Sequence, residues 1–131
     1  MMTRTPRLLL AFAALLAAIG AALHASAYEK TVAAVDVSNL APFFGKSLKA
    51  LWLGDSATLI LVATIFALIA ARPSSLATQA IRPVMLLVAL IPAATAVLLY
   101  VFLGNFFAGH LLLLIAALAF VAGLQFPASR G

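Results

Sequence analysis

The chain has 131 residues, of which 66% are hydrophobic and only 8% charged, and its mean hydropathy is +1.23. A soluble domain typically runs about a quarter charged and about half apolar, so this composition excludes a water-soluble globule. Four membrane crossings of ~20 residues each would use most of the length and leave one integral membrane domain over residues 1–131. The lack of cysteine excludes a disulfide, a thiolate metal site, an iron–sulfur cluster and a cysteine nucleophile. The eight Lys and Arg behind the net charge of +5 are scattered between apolar runs, so no nucleic-acid patch is expected.

Four apolar runs mark the helices in chain order: Leu8 to Ala27, Leu51 to Ala71, Val84 to Leu103 and Phe106 to Phe126. Each is about as long as a helix rising ~1.5 Å per residue needs to cross a ~30 Å hydrocarbon core. They predict an all-α, polytopic membrane four-helix bundle, with helices over about 8–27, 43–71, 84–103 and 106–126. The first run has a second reading, because Arg4 and Arg7 precede a Leu/Ala stretch ending in Ala25-Ser26-Ala27, the small-x-small pattern of a signal-peptidase site. Cleavage there would leave three helices. The run exceeds the usual signal core of about 7–15 residues, and keeping it returns both termini to one side, so a retained helix is expected.

Between the first two helices lies the one longer outer loop, Tyr28 to Ala50, whose apolar content would favour lying on the bilayer surface or capping the bundle. Pro42 suits a first helical turn, with Ser38 or Asn39 as candidate caps, so the second helix should begin near Pro42. Lys46 and Lys49 then snorkel outward. The inner link, Arg72 to Pro83, reads as a short solvated connection. Gly104-Asn105 makes a tight turn that leaves the third and fourth helices as antiparallel neighbours. No fixed-period repeat supports a duplicated transporter architecture.

Orientation follows from the basic residues. One side receives Arg4, Arg7, Arg72, Arg82 and Arg130 with no acidic residue; the other receives Lys30, Lys46 and Lys49 with Glu29, Asp36 and Asp55. A Lys/Arg excess marks the cytoplasmic side, which predicts both termini cytoplasmic in a multi-pass protein of the bacterial inner membrane. Ala13, Ala17 and Ala21, flanked by Ala14, Ala18 and Ala22, give the first helix a small-residue face for close packing, as do Ala116, Ala119 and Gly123 in the last. That face serves either packing within the bundle or a homodimer. Pro92 removes a mid-helix donor, and Thr95 is placed to serve a freed carbonyl. Trp52, Tyr28, Tyr100, Phe43, Phe44, Phe106 and Phe107 fall near the outer boundary as an interfacial aromatic belt.

The few polar groups within the runs share one depth. His24 precedes the outer end of the first helix, Asp55 lies just inside the second and His110 just inside the fourth, each about 5 Å below the boundary by helical rise. Trp52, Ser56, Tyr100 and Asn105 stand at nearby height. An outer-face ligand pocket formed by His24, Trp52, Asp55, Ser56, Tyr100, Asn105 and His110 is therefore expected, because intramembrane ionisable groups are costly and mark sites. Asp55 has no basic residue three or four positions away, so His24, His110 or Lys30 would have to serve as its counter-ion. The plainer alternative makes these residues hydrogen-bond caps that pin helix ends. A metal or haem held by His24 and His110 lacks HxxxH or HExxH spacing, and no metal or cofactor is expected. No catalytic residues are assigned: adjacent Asp55 and Ser56 point about 100° apart on a helix, which disfavours a Ser56–His110–Asp55 relay.

His24 closing the first helix, Leu51-Trp52 followed by Ser56, Arg72-Pro73, and Gly109-His110 opening the last helix resemble small four-helix bacterial inner-membrane proteins of uncharacterised function. Members often carry His after the Trp and Pro-Gln after the last His, where this chain has Leu53 and Leu111. In size and helix count the chain is also similar to small multidrug transporters, but Leu8 to Ala27 lacks their first-helix glutamate, which argues against proton-coupled efflux by that mechanism. The leading expectation is a non-enzymatic accessory or interaction subunit, with a membrane-protein partner or a second copy in the bilayer. The alternatives are a homodimeric binding or transport module for a small apolar or amphiphilic ligand, and a membrane redox component holding haem, metal or quinone.

Overall fold

The computed structural model describes residues 4–71 and 78–126; the expected link through Arg72, Pro73, Ser74 and Ser75, and Arg130, lie outside the described residues. Among the described residues five helices follow one another: α1 (Arg4–Ser26), α2 (Tyr28–Asp36), α3 (Pro42–Ala71), α4 (Thr78–Leu103) and α5 (Phe107–Leu124). No strand occurs among the described residues. Four spans of the described residues are long and apolar enough to cross a membrane: the one formed by α1 with α2, then α3, α4 and α5.

α1, α3 and α4 begin earlier than their apolar runs, because polar residues continue the helix past the length a bilayer core demands, whereas α5 begins at Phe107, one residue inside its run. Pro6 sits in the first turn of α1, where its missing N–H is no loss. α4 begins at Thr78 and runs through Pro83, which the sequence placed in a link, and through Pro92. Pro92 has no N–H for the Val88 carbonyl; Thr95 Oγ1 instead donates to Ile91 O at 3.0 Å, not to the freed group. Gly104, at φ 70°, closes α4 in the left-handed conformation, its N–H donating to Tyr100 O at 3.1 Å.

The helices pack in the order α3, α1, α5, α4, and α3 and α4 barely touch. α1 is therefore central, with Leu10, Ala13, Ala14, Ala17 and Ala21 buried while Leu8, Phe12, Leu15, Ile19 and Leu23 form an exposed stripe. Apart from Pro6 and Leu10, the buried face of α1 is made of alanines while those large apolar residues face outward, the arrangement of a helix that associates by close packing rather than by escaping water. Ala18 and Ala22 fall on the exposed side. Ala116, Ala119 and Gly123 of α5 are all buried, and a Cβ on Gly123 would stand 3.2 Å from Leu86 Cδ2 and 3.5 Å from Met85 Cβ, so α4 and α5 meet closely there.

At one end Arg7 reaches across to α3, Nε donating to Ala70 O at 2.9 Å and Nη2 to Ala71 O at 3.4 Å. A guanidinium near the C-terminal end of a helix complements the helix dipole. At the opposite end the Tyr28–Asp36 segment of the expected outer loop is helical. Lys49 Nζ binds Asp36 Oδ1 at 2.6 Å, and Gly45 lets Val35 approach, since a Cβ there would lie 3.0 Å from Val35 Cγ1. α3 has 30 residues against 18 in α5, about 45 Å against about 27 Å. The α2–α3 hairpin consequently overhangs the rest of the bundle.

Candidate functional site

Below that overhang the separation of α3 from α4 leaves a cavity of about 360 Å³, floored by α1 and α5. Its volume falls within the ~300–1,000 Å³ usual for small-molecule pockets. The lining is mostly apolar, with Gly20, Leu59, Pro92, Leu111 and Leu112 deep, and Phe106 and Phe107 where α5 begins. His24, Trp52, Asp55, Thr58 and Thr95 supply the polar groups. C-terminal halves of α1 and α4 meet N-terminal halves of α3 and α5 around this space, so neighbouring spans alternate in direction.

One wall is fixed by bonds between α1 and α3. The His24 ring stacks on Trp52 with centroids 4.1 Å apart and planes 14° from parallel. Trp52 Nε1 donates to His24 O at 2.8 Å, serving a carbonyl in the last turn of α1. Ser56 Oγ lies 3.0 Å from His24 Nδ1 and 3.4 Å from Trp52 O. Ser56 is the one buried polar side chain among the described residues, so burying it required these partners. It lies behind the cavity wall and holds His24 in place.

Asp55, the next residue round the helix, is exposed and lines the cavity. The ion pair found among the described residues joins Lys49 to Asp36, and none involves Asp55, so neither His24, His110 nor Lys30 serves as its counter-ion. Tyr100, Asn105 and His110 are not part of the lining. Tyr100 and His110 form a separate edge-on pair, centroids 5.5 Å apart at 84°, and His110 Nδ1 lies 3.1 Å from Phe106 O of its own helix. Tyr100 rests on Gly109, where a Cβ would meet its ring at 3.1 Å. Thus His24 and His110 belong to different sites, and Ser56 pairs with His24 rather than with His110. No group of three metal-binding His, Asp or Glu side chains occurs among the described residues.

Sequence reasoning missed Gly20, Thr58, Pro92 and Thr95. Thr58 follows Asp55 by three positions and so shares its face, a signal that was legible; Gly20 and Pro92 were not, because their roles depend on how the helices are rotated. A groove of about 560 Å³ at the opposite end, between α1 and α3, is shallower and carries Arg4 and Arg7 at its edge. Arg7 is already engaged there with the end of α3. Compared with known proteins, the chain matches no family model, no curated protein and no solved structure.

Proposed function

We propose that the chain is a multi-pass inner-membrane protein, with both termini cytoplasmic, that works as a non-enzymatic binding module for a small amphiphile. The observation that carries this reading is the cavity between α3 and α4, apolar at depth and edged by His24, Asp55 and Thr58 toward the α2 end. A ligand with an apolar tail and a polar head matches that gradient. Outward-facing Leu, Ile and Phe side chains cover all four long helices, a surface far more apolar than a monomer in water tolerates, so the ligand would enter from the bilayer. Native mass spectrometry from a mild detergent tests the reading. One retained amphiphile per chain is expected, and its loss in Thr95→Phe, which fills the cavity; equal retention by the variant would refute it.

The orientation rests on the arginines at the Arg7 end. Because the chain has no cysteine, Ser38→Cys and Gln125→Cys can be labelled without background, and in intact cells an impermeant thiol reagent should reach position 38 alone. An accessory-subunit role is favoured by a different observation: Val37, Phe43 and Phe44 are exposed at the tip of the overhanging hairpin. A larger complex in native membranes that is lost in the Phe43→Ser/Phe44→Ser double variant would support that role.

A further inference from the structure

We infer that the amphiphile held in the cavity carries a cationic head group, for which Asp55 is the counter-charge. The inference rests on the binding role proposed above and adds the chemical class of the ligand. Among the described residues that line the cavity, Asp55 alone is formally charged, and the lining includes no Lys or Arg. Among the described residues the cations are committed elsewhere or lie away from the lining: Lys49 pairs with Asp36, and Arg7 donates to Ala70 O of α3 at the far end. His24, the other titratable side chain of the lining, has Nδ1 against Ser56 and its ring against Trp52.

A carboxylate at the edge of an apolar cavity, with no cation of the described residues paired to it, is a ready counter-charge for a cation bound there. Phe106 and Phe107 line the same space and are exposed. Aromatic faces attract a positive head through their quadrupole, most strongly where water is excluded. An anionic head would meet only repulsion from Asp55, and a neutral head would leave its charge unanswered. Thr58 Oγ1 donates to Gly54 O at 2.9 Å, so its oxygen lone pairs remain available to a head group that donates hydrogen bonds.

Trp52 is the single tryptophan of the chain and lines the cavity, so quenching of its fluorescence reports occupancy directly. Three dodecyl probes brominated beside the head, a trimethylammonium, an alcohol and a sulfate, are titrated into the full chain in phosphatidylcholine nanodiscs. The cation should saturate the quenching at a concentration about tenfold or more below the other two. Asp55→Asn should shrink that advantage to about twofold, and Asp55→Glu should keep it. Equal binding of the alcohol or the sulfate, or a cation advantage that survives Asp55→Asn, would overturn the cationic class while leaving the cavity role intact. If Asp55→Asn abolishes all quenching, Asp55→Glu decides: a kept preference supports the inference and a lost one overturns it. Absence of saturable quenching by all three probes would remove the binding role, and this inference with it.

Discussion

Along its axis the bundle has two unlike halves. Toward the Arg7 end the space between helices is filled by large side chains, with Leu10, Val62, Phe66, Met85 and Ile115 all fully buried. Toward the α2 end the same four helices enclose a cavity, and the closest α1–α3 bonds are polar: the Trp52 indole on the His24 carbonyl and His24 on Ser56. Packing density holds the first half together, whereas hydrogen bonds hold the second half open. In lipid the apolar drive between helices is absent, so a void survives only where its walls are pinned by something other than side chains filling it. The contrast predicts that the two halves will answer differently to the same kind of substitution.

The largest effect is expected in the filled half. Phe66→Ala should leave a void that its neighbours cannot close and cost about 3–5 kcal/mol, whereas Leu59→Ala, which already faces the cavity, should cost about 1 kcal/mol. Reversible unfolding in detergent–denaturant mixtures measures both. Similar losses at the two positions would mean that the cavity closes in solution. Next in size is the pin itself. Ser56→Ala removes the hydroxyl beside His24 Nδ1 and Trp52→Phe removes the indole donor, and each should cost about 1–3 kcal/mol, since each leaves a partly buried partner unsatisfied. The two should couple in a double-mutant cycle, because His24 is shared.

Much of this frame was legible in the sequence, and the physical reason is that hydrophobic length and helical rise each report one coordinate. Runs of apolar residues gave four long helices, and counting residues from their ends placed His24, Asp55 and His110 at one depth. Depth, however, does not say who stands beside whom. With the helices ordered α3, α1, α5, α4, His110 turns to Tyr100 across the α4–α5 pair, while Asp55 faces the gap left between α3 and α4. That order is decided by side-chain fit between helices, including the approach that Gly109 allows Tyr100 and Gly123 allows Leu86. Start points drifted for a simpler reason: Thr78 to Pro83 continues α4 outside the apolar run, where hydropathy gives no signal.

A gain rather than a loss is expected at Gly20. It lies inside α1 and lines the cavity, with Leu111 Cδ2 at 3.4 Å and Leu59 Cδ1 at 3.9 Å from where a Cβ would stand. Both are ordinary contact distances, so Gly20→Ala should stabilise by about 0.5–1 kcal/mol through lower backbone entropy in the unfolded chain. The same methyl group takes volume from the cavity. Higher thermal stability together with weaker amphiphile retention would sharpen the contrast between the halves; higher stability with unchanged retention would show that the floor of the cavity is not part of the binding surface.

The smallest effect on stability should come from Asp55, the residue to which the proposed binding role gives the most weight. Asp55 is exposed, and no ion pair of the described residues involves it, so Asp55→Asn strands no buried cation and should shift unfolding by less than about 0.5 kcal/mol. A His24→Gln change, by contrast, disturbs both the Trp52 stack and the Ser56 contact. If Asp55 and His24 shared a charge interaction, the double variant would recover part of what the singles lose. With Asp55 facing the cavity and His24 held against Ser56, the two changes should instead add within about 0.5 kcal/mol. Thermal melts of the two singles and the double, taken without added amphiphile, make the measurement. Clear non-additivity would place His24 beside Asp55 as its counter-ion. The carboxyl group would then belong to the polar pin of the α2 end rather than to the open cavity, and a cationic ligand would have no charge left to answer.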